Sequence, residues 1–224
     1  MKIFTYIKDR SSRVKKKNFQ KIGDLELWKH LLYEFSEYMV FVDTDSSNVI
    51  GECQLDDKLK NVVAYPRHYS LVEMEEDPNN KLSPSLLMVD NFLNTYVDDL
   101  EEKIVLTHVT SPFLRKETVE SAIAYLDKGY EFVHSVYSIQ DFAWYGSNFS
   151  PLNFNPKVVQ RTQDIEKVYF SNGAFFMFTK KMFKKYKNRL GRKNYFYELG
   201  SIESIEIDTE EDLKLARTVY KGNK

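Results

Sequence analysis

Residues 3–19 read IFTYIKDRSSRVKKKNF, an apolar and β-rich run that passes directly into a loop crowded with cations. The run over residues 3–7 predicts a buried first strand. Six Lys or Arg side chains and one Asp follow within residues 8–18. In an open α/β sheet, the loop after the first strand lies at the carboxyl edge, where ligands bind. We therefore expect this basic loop to form part of a ligand site.

Strand-like and helix-like segments alternate along the rest of the chain. The predicted strands cover residues 3–7, 38–42, 62–65, 104–109, 132–136, 174–178 and 205–208. Apolar residues recur at helical spacing over residues 28–35, 86–100, 119–126 and 213–220. This pattern predicts a single α/β domain over residues 1–224, three-layered and Rossmann-like, with a mainly parallel sheet. Thr209 and Asp212 have the spacing of a capping box for the last helix.

The composition limits the classes of partner. Lys and Arg number 32 and Asp and Glu 33, a net charge of −1, so a nucleic-acid partner is not expected. No apolar run approaches the roughly 20 residues that a membrane span needs, and no signal peptide is expected. Cys53 is the single cysteine, which excludes an internal disulfide and fits a reducing, cytoplasmic location.

The alternating pattern fails over residues 140–167, a stretch rich in aromatic, Asn and Pro residues. Its aromatic and Pro residues include Phe142, Trp144, Tyr145, Phe149, Pro151, Phe154 and Pro156. Apolar side chains that fit no core helix or strand are typical of an interface. We expect this irregular excursion to contact a second copy of the chain in a homodimer, or else to form a lid.

The cations of the first loop suit a polyphosphate ligand, because guanidinium and ammonium groups bind phosphate oxygens. The loop lacks the glycines of a G-x-G-x-x-G or Walker A sequence, so a dinucleotide site or a P-loop ATPase is not expected. A solvated basic turn is the alternative interpretation of the same residues.

Three further segments carry side chains with the chemistry of a site. His108 follows a predicted strand, where a lone histidine is either a substrate contact or a structural hydrogen-bonding group. Arg161 has the planar fork that pairs with a carboxylate, although a surface arginine is the simpler interpretation. Glu206 and Asp208 are two apart on a predicted strand and share a face. They suit Mg²⁺ together with substrate phosphates, unless they form an exposed acidic edge.

In this order along the chain, these segments resemble the motifs of the cytidylyltransferase family that includes the CMP-sialic acid and CMP-Kdo synthetases. The first loop is similar to the variant signature I-K-x-x-S-x-R-V-x-x-K-N-F at residues 7–19. Residues 108–112 (HVTSP) resemble Q-P-T-S-P, and residues 161–163 (RTQ) and 172–174 (NGA) resemble R-x-Q and N-G-A. Residues 206–212 (EIDTEED) resemble D-I-D-T-x-x-D. The resemblance extends from residue 3 to about residue 217.

The resemblance implies a nucleotide-diphospho-sugar transferase type of fold and a reaction in which CTP and an acidic sugar give a CMP-sugar and pyrophosphate. The implied catalytic residues are Lys8, Arg13 and Lys17. The implied nucleotide-binding residues are Ser11, Arg13, Lys17, Asn18, Arg67 and Ser85. The implied substrate-binding residues are His108, Thr110, Ser111, Arg161, Gln163 and Asn172. Glu206 and Asp208 are the implied ligands of Mg²⁺ or Mn²⁺.

Three features depart from the family pattern. Lys15 and Lys16 stand where the commoner, glycine-containing loop has a Pro and its neighbour, so side chains replace backbone contacts to phosphate. His108 replaces a Gln in a region that contacts the sugar. Glu206 replaces the first Asp of the metal pair and has one more methylene group. None of these differences removes positive charge from the proposed site.

Two other functions remain open from the sequence. Asp43-Thr44-Asp45 has the D-x-D form of the metal motif in sugar-nucleotide glycosyltransferases, although that function leaves the basic loop unexplained. A non-catalytic relative that binds a sugar nucleotide is the second alternative. Release of pyrophosphate from CTP distinguishes a synthetase from a scaffold, and transfer from a pre-made sugar nucleotide identifies a glycosyltransferase. The identity of the acceptor sugar is also open.

Overall fold

Strands and helices alternate in the computed structural model, which describes residues 1–11, 13–77, 79–80 and 82–222. The strands are β1 (Lys2–Ile7), β2 (Lys21–Ile22), β3 (Leu25–Glu26), β4 (Val40–Thr44), β5 (Val62–Pro66), β6 (Lys103–Thr107), β7 (Phe132–Ile139), β8 (Trp144–Tyr145), β9 (Ser150–Pro151), β10 (Val168–Thr179) and β11 (Asn194–Glu198). The helices are α1 (Leu27–Glu34), α2 (Ser47–Leu55), α3 (Tyr69–Glu76), α4 (Ser85–Tyr96), α5 (Lys116–Asp127), α6 (Lys180–Tyr186) and α7 (Glu210–Gly222).

A seven-stranded sheet forms the centre, with the strand order β11-β7-β10-β6-β1-β4-β5. β1 pairs in parallel with both β4 and β6, and β4 pairs in parallel with β5. β10 is the reversed strand, because it runs antiparallel to β6 and β7, while β11 is parallel to β7. The predicted α/β fold with a mainly parallel sheet is therefore confirmed.

Helices cover both faces of this sheet, as expected for parallel strands whose two faces are buried. Neighbouring residues of β1 illustrate the alternation: Ile3 belongs to one core cluster and Phe4 to the other, and both are fully buried. The first cluster receives Trp28 of α1 and Val119 of α5. The second cluster receives its helical side chains mainly from α4, among them Phe92, which stacks on Phe4. The molecule thus has three layers.

A third, smaller apolar cluster attaches the basic loop to the end of the chain. Its buried members are Val14, Ile22, Leu27, Ile207, Leu213 and Ala216. Val14 lies within the basic loop, whereas Leu213 and Ala216 lie on α7. The predicted capping box is present at the start of α7, where Asp212 accepts from the Thr209 backbone and donates its own N–H to Thr209 Oγ1. This packing brings residues from both ends of the described chain to one edge of the sheet.

Two assignments differ from the sequence-based expectation. The predicted strand over residues 205–208 is wrong, since this segment is extended but belongs to no sheet. It crosses the strand ends and makes only one hydrogen bond of the ladder type, from Ile207 N to Thr110 O. β11, which was not predicted, fills the sheet edge beside β7. Its alternating residues are only partly buried, so its apolar signal is weak.

The excursion over residues 140–167 leaves the sheet between β7 and β10. It contains the two-residue strands β8 and β9, which pair antiparallel, and a short 3₁₀ turn over Thr162–Asp164. Many of its apolar side chains are exposed, including Trp144, Tyr145 and Phe149. Its role in a homodimer or as a lid stays a prediction. None of the helices in the described ranges is long and apolar enough to cross a membrane.

Candidate active site

A cleft of about 290 Å³ opens at the carboxyl edge of the sheet, where β1 and β6 end. The residues that line it are Tyr6, Lys8, Ser11, Arg13, Lys17, Asn18, Glu75, Ser83, His108, Val109, Thr110, Glu206 and Asp208. The structure therefore brings together three of the four segments that sequence analysis singled out. The fourth, which contains Arg161, is absent from this lining.

The basic loop is folded so that its cations divide into two groups. Lys16 adopts a left-handed conformation (φ 49°) just before the 3₁₀ turn Lys17–Phe19. The buried Asn18 amide donates to the carbonyl of Lys8 at 2.9 Å and closes the loop. Lys17 and Arg13 consequently line the cleft, while Lys15 and Lys16 are exposed to solvent. The closing contact gives Asn18 a role in shaping the loop.

Asp208 joins the loop to the C-terminal segment. Its Oδ1 lies 2.9 Å from Lys17 Nζ and 2.9 Å from Arg13 Nη2. The Lys17 side chain is 13% exposed and that of Arg13 is 62% exposed. The more buried Lys17 is therefore the firmer contact, because solvent screens an exposed ion pair. Two cations converge on one carboxylate oxygen within the cleft.

Glu206 is held by the backbone of β10. Its Oε2 accepts from the Gly173 N–H at 3.2 Å, and Thr110 Oγ1 lies 3.4 Å from Oε1. A β-carbon on Gly173 would lie 2.6 Å from Glu206 Oε1 and 2.8 Å from His108 Nδ1. Glycine is required here because the chain passes so close to both side chains. His108, Thr110 and Glu206 therefore lie close together in the cleft, although residues 205–208 form no strand.

The Asn172 side chain supports the two segments that carry Gly173 and Glu206. The pairing of β10 with β7 shifts register between Ser171 and Phe176, which marks a bulge. Within the bulge, the buried Asn172 side chain donates to Ser204 O at 2.7 Å and accepts from Ala174 N at 2.8 Å. These contacts support the turn at Gly173 and the segment before Glu206. The amide nitrogen and oxygen of Asn172, which the resemblance implies bind substrate, are thus both hydrogen-bonded within the protein.

His108 and Tyr6 form a neutral wall of the cleft. The Tyr6 hydroxyl lies 2.9 Å from His108 Nε2. Burial, together with the positive charges of Arg189 and Lys17, lowers the pKa of His108 to about 3. Burial also raises the pKa of Tyr6. The imidazole is therefore uncharged at neutral pH and shares a hydrogen bond with the phenol.

Arg67 lies behind the cleft in a buried ionic network. Its Nε is 2.6 Å from Asp43 Oδ1, its Nη1 contacts Glu75, and its Nη2 donates to the carbonyl of Ile7 at 3.3 Å. Glu75 in turn lies 4.0 Å from Lys8 Nζ. Arg67 therefore fixes the wall that carries Glu75. Its guanidinium is fully buried, which separates it from the cleft surface.

This network also occupies the carboxylates of Asp43-Thr44-Asp45. Asp43 is 2% exposed and bound to Arg67. Burial raises the pKa of Asp43, and the guanidinium opposes that shift. Asp45 Oδ1 accepts from the backbone of Asp9 at 2.7 Å. These contacts disfavour the use of this motif as a metal site.

Six residues implied by the resemblance lie outside the cleft lining: Arg67 and Asn172, described above, and Ser85, Ser111, Arg161 and Gln163. Ser111 is buried in the turn after His108, and Ser85 is buried at the start of α4, where its neighbour Ser83 lines the cleft. Arg161 and Gln163 lie on the excursion, exposed to solvent. Arg161 pairs with Asp164 at 2.6 Å. A role for them in this cleft stays a prediction.

Sequence analysis missed the lining residues Tyr6 and Glu75, and in the loop that opens α4 it assigned Ser85, whereas the neighbouring Ser83 lines the cleft. Tyr6 follows Phe4 on the same face of β1, and this two-residue spacing was the available signal. Glu75 comes from α3, a helix with one buried residue and no apolar stripe to reveal it. The position of Ser83 depends on how its loop packs.

The oxygen donors present fit a divalent cation that is shared with phosphate. Glu206 and Asp208 both line the cleft. No group of three or more His, Cys, Asp or Glu side chains suited to a metal occurs among the described residues. Two carboxylates with substrate phosphates and water are a common arrangement for Mg²⁺. The donor set therefore suits a cation that binds together with a nucleotide.

Comparison with known proteins gives consistent similarities. A family model described as cytidylyltransferase matches residues 9–224. The N-acylneuraminate cytidylyltransferase of Streptococcus agalactiae serotype V is 25% identical over 186 residues, which cover 80% of this chain and 41% of that protein. N-acylneuraminate cytidylyltransferase A of Danio rerio is 32% identical over 114 residues, or 48% of this chain and 26% of that protein. The chain thus spans about two fifths of the length of the bacterial relative.

Solved structures share the fold at low sequence identity. A structure of CMP:2-keto-3-deoxy-manno-octonic acid synthetase complexed with CTP has a TM-score of 0.64 at 14% identity, covering 99% of this chain and 98% of that one. The 4-diphosphocytidyl-2C-methyl-D-erythritol synthase of Anaerococcus prevotii has a TM-score of 0.62 at 14% identity, covering 98% of each chain. These likenesses extend over the whole sheet and both helical layers.

Proposed function

The chain belongs to the cytidylyltransferase family, and on that basis we propose that it transfers CMP from CTP to a hydroxyl group of an acidic sugar, releasing pyrophosphate. The observation that carries this proposal is the convergence of Arg13 and Lys17 on Asp208 in the cleft after β1. Two positioned cations facing a pair of carboxylates match the needs of a nucleoside triphosphate with its metal ion. The same cleft carries uncharged groups for a second substrate.

The reaction is an in-line displacement at the α-phosphorus of CTP. The acceptor oxygen forms the new bond to phosphorus while the bond to the bridging α,β-oxygen breaks, and the electron pair leaves with pyrophosphate. The proton of the acceptor hydroxyl is released to solvent. Lys8, Arg13 and Lys17 bind the triphosphate and neutralise the charge that develops on the leaving group. Ser11, whose hydroxyl is buried without a partner among the described residues, supplies a further donor at the loop.

Glu206 and Asp208 would hold Mg²⁺, or Mn²⁺, beside the phosphates. The ion would supply charge neutralisation and would orient the phosphate oxygens. Glu206 is preset for this role because Gly173 fixes one of its oxygens. Asp208 binds Arg13 and Lys17, so incoming phosphate oxygens compete with this carboxylate for the same two cations. Nucleotide binding and the release of Asp208 for a metal ion are thereby linked.

The acidic sugar is supported by the names of the relatives and by the form of the cleft. The bacterial relative is named an N-acylneuraminate cytidylyltransferase, and an N-acylneuraminate is an acidic sugar. His108 and Thr110 line the same cleft and offer uncharged hydrogen-bonding groups. Surface glycan synthesis is the pathway class that consumes such CMP-sugars.

We also propose that the chain forms a homodimer through the excursion. The side chains of Trp144, Tyr145 and Phe149 are 53%, 71% and 71% exposed. Val159 is fully exposed as well. Several exposed apolar side chains on one segment are typical of an interface, and a second copy is the simplest partner for them. The glycosyltransferase and scaffold functions have no comparable support.

Pyrophosphate release with each of the four nucleoside triphosphates tests the function, against a panel of acids that includes N-acetylneuraminate and 3-deoxy-manno-octulosonate. We expect turnover with CTP and at least one acid, and none after removal of divalent cations. Asp208→Asn is the inactive control. Nucleotide binding without pyrophosphate release would contradict the proposal and favour a scaffold. Sugar transfer from a pre-made sugar nucleotide would favour a glycosyltransferase.

A further inference from the structure

Arg189 is a partly buried cation that stacks on Phe176 and lies outside the residues that line the cleft. It follows α6, in a loop that begins where Lys187 takes a left-handed conformation (φ 51°). Its guanidinium carbon lies 3.9 Å from the centre of the Phe176 ring. Within the described ranges, no carboxylate forms an ion pair with it and no acceptor receives its guanidinium N–H groups. Arg13, Arg67 and Arg161 are all paired by contrast.

A continuous row of rings connects Arg189 to the cleft. The Phe176 ring lies 6.2 Å from that of His108, which in turn contacts Tyr6. On its other side, Phe176 stacks on His134 at 4.3 Å. Burial is the main cause of the lowered pKa of His108 and of the raised pKa of Tyr6, and the charge of Arg189 adds to the first shift and opposes the second. Arg189 is therefore close enough to act electrostatically on a ligand beside His108.

The proposed reaction needs a second site for negative charge. In an acid sugar whose reacting hydroxyl and carboxylate are attached to the same carbon, the carboxylate must lie near the α-phosphate. The basic loop binds the triphosphate, so a separate cation has to offset the repulsion between the two anions. Arg161 is 73% exposed and already paired with Asp164. By contrast, the guanidinium N–H groups of Arg189 have no acceptor among the described residues, and stacking on Phe176 fixes the plane of the guanidinium.

We propose that Arg189 binds the carboxylate of the acidic acceptor, with the neutral pair Tyr6–His108 separating it from the triphosphate. This assignment rests on the proposed function and names the acceptor as one that carries its carboxylate beside the reacting hydroxyl. The guanidinium presents a planar fork that suits bidentate carboxylate binding. Stacking on Phe176 holds this fork in place before the ligand arrives. Arg189 thereby selects acids over neutral sugars of the same shape.

Steady-state kinetics with Arg189→Gln tests this role, using the acid of the panel that gives turnover. We expect the KM for the acid to rise about ten- to hundredfold, the scale for a lost hydrogen bond between charged groups. The KM for CTP stays within about twofold, since the basic loop is unchanged. Arg192→Gln is the matched control, because it removes an exposed cation from the same loop. We expect Arg192→Gln to leave the KM for the acid and the KM for CTP unchanged.

A second readout follows the binding of the acid directly. NMR titration of His134 reports on Arg189. Burial, and to a smaller extent the positive charge of Arg189, lowers the pKa of the His134 imidazole to about 4. Addition of the acid neutralises Arg189 and raises the pKa of His134 in the wild type, whereas the methyl ester of the same acid does not. The Arg189→Gln protein shows no such shift on addition of the acid.

The outcomes separate the two proposals. An unchanged KM for the acid in Arg189→Gln, with or without a lower melting temperature, would mean that Arg189 only packs on Phe176. That result overturns the assignment of Arg189 and leaves the proposed function standing. A higher KM for CTP, equal to that for the acid, overturns it too, because the residue would then act on the nucleotide. Failure of the wild type to release pyrophosphate with any acid and any triphosphate overturns the proposed function, and this assignment with it.

Discussion

The backbone N–H of Gly173 lies 3.2 Å from Glu206 Oε2, and a β-carbon at Gly173 would stand 2.6 Å from the other oxygen of the same carboxylate. The two residues are 33 positions apart. Their contact defines where one of the two cleft carboxylates is held. The absence of a side chain at Gly173 is thus a condition for the position of Glu206.

Gly173→Ala should keep the fold and lower the activity. The added methyl group meets both the end of the flexible Glu206 side chain and the His108 ring, so it moves the carboxylate from its place and also costs some stability. We expect kcat to fall about tenfold to a hundredfold, as misplacement of about 1 Å does elsewhere. Gly200→Ala is the control, since nothing lies within 4 Å of its added atom. Pyrophosphate release measures both. Equal activities for the two variants would contradict the role of Gly173.

Individual cations of the basic loop should differ in importance. Arg13→Ala and Lys17→Ala should each cost about 2–4 kcal/mol in kcat/KM, because both side chains line the cleft and face the transition-state charge. Lys15→Ala and Lys16→Ala should cost less than about 1 kcal/mol, as solvated charges do. Kinetics at low and high salt measure the difference. Four equal losses that high salt erases would refute this assignment and leave the enzyme class standing.

Asp208→Asn should lower turnover by orders of magnitude, because the carboxamide lacks the charge for a metal ion and for the two loop cations. The fold should persist, since the position is partly exposed and outside the sheet. Titration with Mg²⁺ should show weaker activation in the variant. Circular dichroism checks the fold. Turnover like that of the wild type would remove Asp208 from the metal site.

The free energy of unfolding should fall as the pH falls from about 6.5 to about 4. The reason is that burial, and to a smaller extent the charge of Arg189, lowers the pKa of His134 to about 4. The unfolded chain binds a proton in this range while the folded chain does not, so acid favours unfolding. His134→Gln should reduce the loss of unfolding free energy between pH 6.5 and pH 5 by about 1–2 kcal/mol. Urea denaturation at each pH measures it, with the exposed His68→Gln as control. Parallel pH profiles for wild type and His134→Gln would contradict the expectation.

Light scattering at micromolar concentration should show a dimer that depends on the excursion. Replacing Trp144 and Tyr145 together with Glu should give a monomer, because two charges would be buried at the interface. Leu55→Glu alters an even more exposed apolar side chain on α2 and should leave the dimer intact. A monomeric wild type would make the excursion a lid instead.

The sequence predicts the parallel sheet and most of the cleft because these depend on short-range patterns. The run ending at Ile7, followed by cations, identifies the loop, and the alternation of Ile207 with two carboxylates identifies the shared face. That alternation does not require a strand: Ile207 packs on the third cluster while its neighbours face the cleft. The strand assignment for residues 205–208 was wrong for this reason.

Other parts of the site depend on contacts that no local pattern reveals. Glu75 comes from a helix without an apolar stripe, and Arg67 is withdrawn from the cleft only because Asp43 and Glu75 meet it in the interior. Arg189 lies beside the cleft because its loop folds over Phe176. In each case the position follows from the packing of distant segments.

The third cluster, in which Val14 packs with Ile207, Leu213 and Ala216, has a consequence for how the molecule is made. Lys17 and Asp208 are 191 positions apart, so a ribosome exposes the basic loop long before it releases the carboxylate that the loop pairs with. Until α7 emerges from the exit tunnel, the growing chain has no closed cleft. Products of premature termination before Asp208 therefore lack one side of the cleft.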